Sequence, residues 1–425
     1  MEELKGKKLL ILGGAGLHCN LVRAARDLGV ETYVTDYLPI ENAPAKQLAD
    51  HAWDLNVVDV DAIVERCRQE HIDGVMNMYY DPCQLPYQQV CEQLGLTCFG
   101  TREQYQIFTN KELFIKTCKQ YGIDTIPSYM EEDFAFDDPD IEYPVFVKPS
   151  DSRGSRGQTV CHSYEEVGPA IKLAREESAS GGVIIERFME NAQDLQIALI
   201  MIDGEPYLEE ASDMHSSVDE NGQILPYNFV VVPSLREEYV IELLKGKIGA
   251  MLKDLKICNG PVFMQGFLDE DKFYVYDPAL RFPANVYEDI LLQFFDLNIY
   301  SAMAVFALTG RFPPYLRNMQ GILSKNGTAG VSLRVYIRPG RISAIHGIEE
   351  VASREEIIHF TPVYKEGDLI EDWHDIRQSF SLVMIVQKSL EEAIKTTEFI
   401  YDTLKILDEN GEDMKVALPD LSWLK

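Results

Sequence analysis

The first hundred residues switch between two hydrophobic periods. Runs of adjacent apolar residues, "KLLIL" from Lys8, "VETYVT" from Val30 and "GVMNM" from Gly74, are bounded by glycine or aspartate and predict buried strands. Between them, "LHCNLVRAARDLG", "DVDAIVERCRQEH" and "CQLPYQQVCEQLG" space apolar residues three and four apart and predict amphipathic helices. This rhythm predicts a parallel sheet wound by helices. Further on, "TREQYQIFTNKELFIKTCKQYG" predicts two helical segments, "YPVFVKP" a short strand and "SYEEVGPAIKLAREESA" a helix. "GGVIIERFM" predicts a strand that leaves its sheet at Glu186. "LQIALIMIDGEPYLEEASDM" reads as a hairpin closed by Asp203-Gly204, and "GPVFMQGFLDEDKFYVYDPALRF" as a second hairpin turning at Asp269–Asp271. "EEYVIELLKGKIGAMLKDLKI" predicts one helix and "DILLQFFDLNIYSAMAVFALTG" one long apolar core helix. "GVSLRVYIRPGRISAIHGIEE" is strand-like and "SLEEAIKTTEFIYDTLKI" helical. The expected fold is α/β followed by α+β.

Composition narrows the function. The chain has 425 residues, 46% hydrophobic and 25% charged, the profile of a folded globular protein with roughly two to four domains. Its net charge of −30 repels polyanions, and it has no Lys/Arg run, so nucleic acid is not an expected partner. Small-molecule chemistry is expected instead. An anionic ligand must then meet a locally positive pocket. None of the eight cysteines forms a C-x-x-C pair, which fits buried thiols in a reducing compartment better than disulfides or zinc. No stretch reaches about 18 apolar residues, and the N-terminal apolar run is too short for a signal sequence. The expectation is a cytoplasmic protein with no membrane partner.

Two glycine-bearing loops carry candidate chemistry. In "VKPSDSRGSRG", Lys148 closes a strand and is followed by Ser152, Arg153, Gly154, Ser155, Arg156 and Gly157. An exposed hairpin turn has this composition. So does a phosphate cradle, in which glycines admit backbone N–H groups and the lysine adds charge. It is not a Walker A loop, because Lys148 precedes the glycines. In "GGAGLHCN", half of a dinucleotide fingerprint is present, and Asp36 lies where a ribose-binding acid would sit. Cys19 stands at the third glycine position. A nicotinamide-dependent oxidoreductase is therefore an alternative, beside glycines that merely pack a sheet.

Four segments, "TNKELFIKTCKQYGIDTIP", "YPVFVKPSDSRGSRGQTV", "VIIERFMENAQDL" and "FMQGFLDEDKFYVYDPALR", occur in that order. As a set they resemble the ATP-grasp superfamily, ligases that clamp ATP between two α+β subdomains. "ERFMENAQDLQIAL" resembles biotin carboxylase, and the C-terminal "GIEE" segment resembles amino-acid ligases. The resemblance implies a wound-sheet domain over 1–100, a small clamp subdomain with linker over 101–190, a large one over 191–320 and a C-terminal α+β part over 321–425. It implies ATP with Mg²⁺ or Mn²⁺. Lys111 and Lys148 match phosphate-binding lysines, and the loop through Ser152, Arg153, Gly154, Ser155 and Gly157 matches a flap over the phosphates. Glu186, Arg187, Phe188 and Met189 match the adenine-reading hinge, and Asp194 a group on the ribose hydroxyls.

The metal end departs from the family pattern. Asp277 stands for the usual glutamate and Gln265 for the upstream acid, while Ala279 replaces an asparagine ligand. One charged ligand remains where two are common, unless water, Asn285 or Glu288 substitutes. Arg281 matches the arginine that stabilises the transferred phosphoryl group, and Arg334 one that holds a substrate carboxylate; an ordinary edge-strand arginine is the other reading of Arg334. His18 and His215 are possible lining residues of the substrate pocket. The implied activity is a carboxylate–amine ligase working through an acyl phosphate on small-molecule partners, with a homodimer as a further expectation. A nucleotide-binding protein without turnover is the second reading. A biotin-dependent carboxylase is not expected, because the glycine loop is poorer than such enzymes carry.

Overall fold

The computed structural model describes residues 2–136, 138–150, 157–178, 180–190, 192–218, 225–269, 271–285, 287–372, 376–419 and 421. The N-terminal strands form a four-stranded parallel sheet in the order His51–Trp53, Glu31–Thr35, Lys8–Leu12 and Gly74–Met76. Helices Cys19–Asp27, Val60–Glu70 and Gln84–Leu94 follow the strands as their periodicity requires. The short helix Pro44–Leu48 and the strand His51–Trp53 are additions that the hydrophobic pattern did not signal.

A second, antiparallel sheet of four strands runs Ser128–Tyr129, Val183–Arg187, Val145–Pro149 and Thr159–Cys161. Helix Tyr164–Glu177 buries Val167, Ala170 and Ala174 against Val145, Val147 and Ile185. The strand expected to leave its sheet at Glu186 stays paired through Arg187. Its last pair, Val145 with Arg187, extends the ladder one residue further.

The largest sheet has eight strands, in the order Lys272–Ala279, Gly260–Asp269, Gln193–Ile202, Glu205–His215, Phe229–Val232, Ala329–Tyr336, Ser379–Gln387 and Ile357–Pro362. It joins chain from both sides of residue 320. Both hairpins form as read. Asp203 and Gly204 take φ of 54° and 81°, the left-handed pair that a two-residue hairpin loop requires.

Two helices expected to be continuous are broken. The apolar run splits into Tyr287–Phe295 and Ile299–Thr309, bent by 105°. Asp296 adopts φ of 55°, and the Asn298 side chain accepts from the Ser301 N–H to start the second helix. "EEYVIELLKGKIGAMLKDLKI" likewise breaks at Gly246 into Glu237–Lys245 and Lys247–Asp254. Among the described residues, no single helix is long and apolar enough to cross a membrane.

Helix Ile299–Thr309 packs on the N-terminal sheet, and one buried cluster runs without interruption from Leu9 through Leu199 to Phe306. Gly74 makes this approach: a Cβ there would lie 2.7 Å from the Ala307 carbonyl oxygen. Gly74→Ala is expected to cost about 1–3 kcal/mol, the range for overpacking against a backbone that cannot yield. A denaturant melt of the variant checks this.

Candidate active site

The strand Val145–Pro149 alternates in burial. Val145 and Val147 enter the small subdomain's core, so Phe146 and Lys148 take the other face. Glu186 lies directly opposite Phe146 in the neighbouring strand and shares that face. Lys148 Nζ meets Glu186 Oε2 at 2.5 Å and stands 5.4 Å from the Phe146 ring centre. Beyond Glu186 the strand ends at Arg187. Arg187 N–H donates to the Pro127 carbonyl at 2.9 Å, and Phe188 N–H to that of Pro144 at 2.8 Å. The next N–H, that of Met189, has no protein acceptor among the described residues. The Arg187 guanidinium is held by Glu142 at 3.2 Å and Asp269 at 3.1 Å.

These residues line a cleft of about 1040 Å³ between the small sheet and the large one. Ile126, Phe146, Met189, Met214, Leu225 and Phe267 give it apolar walls. Lys111, Lys148, Glu186, Arg187, Phe188, Met189 and Asp194 all line it. Lys111 is the first residue of a helix capped by Asn110, whose side chain accepts from the Leu113 N–H. Gly157 is half-buried, with φ of 69°, and a Cβ there would lie 2.9 Å from the Glu177 side chain and 3.0 Å from that of Pro149. Ser152, Arg153, Gly154 and Ser155 lie outside the described residues.

Asp194 opens a central strand of the large sheet and is buried. The Tyr227 hydroxyl donates to it, as does that of Tyr276 at 3.0 Å. Burial pushes its carboxyl up to about 7, against the pull of the two hydroxyls. As a reader of ribose hydroxyls, Asp194 would therefore act from inside a polar network already made by protein. Neither tyrosine stood out in the sequence; the one signal is that Tyr276 immediately precedes Asp277.

At the cleft's far end, Lys111, Asp81 and Asp277 surround a second cavity of about 470 Å³. Asp277 pairs across the hairpin with Gln265. Burial and the Asp81 charge raise its carboxyl, while Arg281 and Lys111 oppose the rise. Arg281 Nε donates to Asp81 at 2.8 Å, and one terminal nitrogen donates to the Phe282 carbonyl at 2.9 Å. Its guanidinium also lies 4.9 Å from the centre of the Phe263 ring. Ala279 is buried at 1% exposure, paired with Phe263, and offers nothing to a ligand. The two residues weighed as substitutes have different surroundings. Asn285 gives its amide N–H groups to Glu210 at 2.7 and 2.9 Å and accepts from the Tyr287 N–H at 3.2 Å, while Glu288 is sealed at 1% exposure. The described residues contain no group of three or more His, Cys, Asp or Glu side chains suited to a metal.

Residues 110–210 match the family model "Carbamoyl-phosphate synthase L chain, ATP binding domain". The structure superposes on an L-amino acid ligase from Bacillus licheniformis with a TM-score of 0.75 at 18% identity, covering 96% of this chain and 100% of that one. It superposes on the biotin carboxylase domain of Hydrogenobacter thermophilus 2-oxoglutarate carboxylase, solved as a dimer with MgADP, ADP and bicarbonate. There the TM-score is 0.71 at 19% identity, covering 97% of this chain and 91% of that one. The chain has the ATP-grasp fold. Among curated relatives, it is 28% identical over 243 residues to the formate-dependent phosphoribosylglycinamide formyltransferase of Methanocaldococcus jannaschii, covering 53% of this chain and 59% of the relative. The chain matches about half the length of the first such relatives.

Within this fold, Arg334 sits on strand Ala329–Tyr336, and its guanidinium reaches only the Ala284 carbonyl among the described residues, at 3.5 Å. No carboxylate lies within ion-pair reach among the described residues. Burial pulls its guanidinium below the ordinary value. It lines a cavity of about 170 Å³ with Gln196, Gln265, Asn285 and Ser332. This cavity shares Met214, Pro226 and Tyr227 with the large cleft. His215 lines the large cleft, whereas His18 is fully buried in the N-terminal domain.

The "GGAG" loop is closed by its own neighbours. A Cβ on Gly13 would lie 2.6 Å from His18, and one on Gly14 would lie 2.8 Å from Ala43. Asp36 accepts from the Gly14 N–H at 2.8 Å and the Leu38 N–H at 2.9 Å. The acid that a dinucleotide's ribose would need is thus bound to backbone, and these glycines pack the sheet.

Asp194 supplies a pH test. With its carboxyl at about 7 in the fold against 3.8 unperturbed, the native state holds the extra proton between those values. Its contribution to stability is present below about 4 and is lost as pH rises through about 7. Asp194→Asn removes that loss. The difference in melting temperature between variant and parent should therefore move in the variant's favour from pH 5 to pH 8. Parallel curves would contradict the burial argument.

Proposed function

We propose that this chain is an ATP-dependent carboxylate–amine ligase, forming an amide through an acyl phosphate and releasing ADP and phosphate. The observation that carries the reading is the junction of the two cavities. A cleft with apolar walls and two lysines shares Met214, Pro226 and Tyr227 with a small cavity whose arginine has no carboxylate partner among the described residues. In a chain of net charge −30, that placement of cations favours an anionic nucleotide and an anionic second substrate. Relatives whose names specify formate-dependent formyl transfer and L-amino acid ligation support an acid and an amine as the partners. A neighbour solved with MgADP supports the nucleotide.

The proposed roles follow the geometry. The Met189 N–H is the donor available to the adenine edge, and Phe146, Met189 and Phe267 sandwich the ring. Lys148 exchanges part of its contact with Glu186 for phosphate oxygens, and Lys111 approaches from the helix start. Asp277 and the Gln265 carbonyl are the protein ligands available to Mg²⁺ or Mn²⁺. One carboxylate and one neutral oxygen fit an ion that takes its remaining ligands from phosphate and water. Such an ion would neutralise charge on the phosphates. Arg281, fixed by Asp81, presents a planar cation to the transferred group, and Arg334 anchors the acid. The work assigned to the protein is positioning and charge neutralisation. A second copy of the chain as partner is part of the same proposal, since the Hydrogenobacter domain is described as a dimer.

Ala279, buried at 1% exposure, favours one competing reading: a nucleotide binder without turnover. ADP release from ATP and Mg²⁺, with pools of carboxylic acids and amino acids, separates the two. ADP that appears only with an acid–amine pool establishes the ligase. Nucleotide binding with no ADP from any pool favours the binder. Lys148→Ala should weaken the ATP-induced thermal shift by at least about tenfold in apparent affinity, as loss of a charge on phosphate predicts. Arg334→Ala should leave that shift intact and abolish the response to the acid.

A further inference from the structure

Strand Ala329–Tyr336 turns Val331, Leu333 and Val335 into a buried cluster with Phe380 and Ile385. Alternation puts Ser332 and Arg334 on the opposite face, and both line the cavity of about 170 Å³. The strand is held on its two sides. The Arg334 backbone N–H donates to the Asn228 carbonyl at 2.8 Å, and Arg334 pairs with Leu382 in the next strand.

Several polar groups around this cavity are already engaged. Gln196 Nε2 donates to Glu210 at 2.9 Å, and Asn285 Nδ2 reaches the same carboxylate at 2.7 and 2.9 Å. Glu210 is buried and also accepts from the Ser212 hydroxyl at 2.6 Å. Gln265 donates to the Met214 sulfur at 3.3 Å, and the Tyr227 hydroxyl donates to Asp194. Ser332 differs. It is 7% exposed, and its hydroxyl has no protein partner among the described residues. A buried hydroxyl left in that state is costly, so a group that completes it gains free energy. The wall thus presents an arginine without an acid and a serine without a partner, two residues apart on one strand, about 7 Å along it.

Charge and volume decide what fits. Among the described residues lining the cavity, Arg334 is the one charged side chain. A carboxylate matches its planar fork. An ammonium on the carbon beside that carboxylate would enter next to a guanidinium with no acid to meet it. Glu210 already accepts from Gln196, Ser212 and Asn285, and Asp194 from Tyr227 and Tyr276. Burying an unpaired cation costs far more than burying a hydroxyl. A hydroxyl in the same place can both donate to Ser332 and accept from it. The cavity's volume is that of about five or six waters, which limits the acid to a similar number of non-hydrogen atoms.

We propose that the acid held by Arg334 is a short 2-hydroxy carboxylate recognised by Ser332, and that α-amino acids are excluded as the acid component. This rests on the ligase reading in taking Arg334 as the acid's anchor.

Lactate, propionate and alanine share a carbon skeleton and carry a hydroxyl, a hydrogen or an ammonium on the second carbon. The test is calorimetric titration of each into the full chain saturated with Mg²⁺ and a non-hydrolysable ATP analogue, with phenyllactate as a bulkier hydroxy acid. Racemic lactate should bind at least about tenfold more tightly than propionate, as one buried hydrogen bond predicts. Alanine and phenyllactate should bind more weakly than propionate. Ser332→Ala should bring lactate to parity with propionate while propionate binds as in the parent, which shows that the cavity still forms. Arg334→Ala should lose both. Alanine or phenyllactate binding as tightly as lactate overturns the proposal, as does a Ser332→Ala chain that still prefers lactate, or no heat from any acid. ADP release from ATP with the same acids and an amine pool judges the ligase reading separately. Selective lactate binding without ADP would leave the cavity's assignment standing and count against the ligase. ADP formed with alanine as the acid, and not with lactate, would do the reverse.

Discussion

A cation drawn partly out of water must find a negative charge, and the cleft is organised by that requirement. Lys148 is met by Glu186, Arg281 by Asp81, and Arg187 by both Glu142 and Asp269. Each pair crosses an element boundary, so each also fixes a surface of the site. Lys148 and Glu186 tie two strands of the small sheet on the face turned toward the cleft. Arg187 links the end of that sheet to the hairpin of the large one. Arg334 is the exception, with a single long contact to a carbonyl. In a chain carrying 30 more negative than positive charges, a guanidinium with no acid in ion-pair reach among the described residues is a specific arrangement.

The same logic joins the N-terminal domain to the site. Asp81 belongs to a short 3-10 turn after the parallel sheet, yet it fixes Arg281 about two hundred residues later in the chain. The Gln84 side-chain carbonyl accepts from the Leu280 N–H at 2.8 Å, and Phe282 N–H donates to the Met78 carbonyl at 3.0 Å. The segment carrying Asp277 and Arg281 is therefore stitched at three points to residues 78–84. Continuous apolar packing from Leu9 to Phe306 stiffens that connection. The wound sheet supports the segment that carries Asp277 and Arg281 even though its own glycine loop is filled by His18 and Ala43.

What the sequence made legible was local. Val145 to Val147 read as a short buried strand closed by Lys148, although Phe146 turns out of the core toward the cleft, and the hairpin at Asp203-Gly204 followed from turn chemistry alone. Ordered motifs singled out Lys111, Lys148 and residues 186–189, which the structure gathers in one cleft. What could not be read was non-local or a matter of one torsion. Asp194 meets Tyr227 and Tyr276, 33 and 82 residues away, and no periodicity links them. Asp296 breaks a helix through a left-handed torsion in an otherwise uninterrupted apolar pattern. Asp81 gave no signal, because its role depends on which strand ends meet after folding. The surroundings of Asn285 and Glu288, weighed as substitutes for a missing metal ligand, were unreadable for a similar reason. Glu210 claims Asn285 from a strand far away in sequence, and burial claims Glu288.

The changed metal end has a consequence for charge. Gln265 and Ala279 remove negative charge and an oxygen ligand beside Asp277, while Lys111 and Arg281 remain close enough to stabilise its ionised form. With fewer acidic ligands, less positive charge can be recruited as metal. On the proposed reading, the fixed cations then carry more of the neutralisation of a triphosphate. Fixed guanidinium and ammonium groups do so without dehydrating an ion, but their positions must be set in advance. The Asp81–Arg281 contact sets one of those positions. On the proposed reading, the N-terminal domain would compensate for the poorer metal site by holding Arg281 in place.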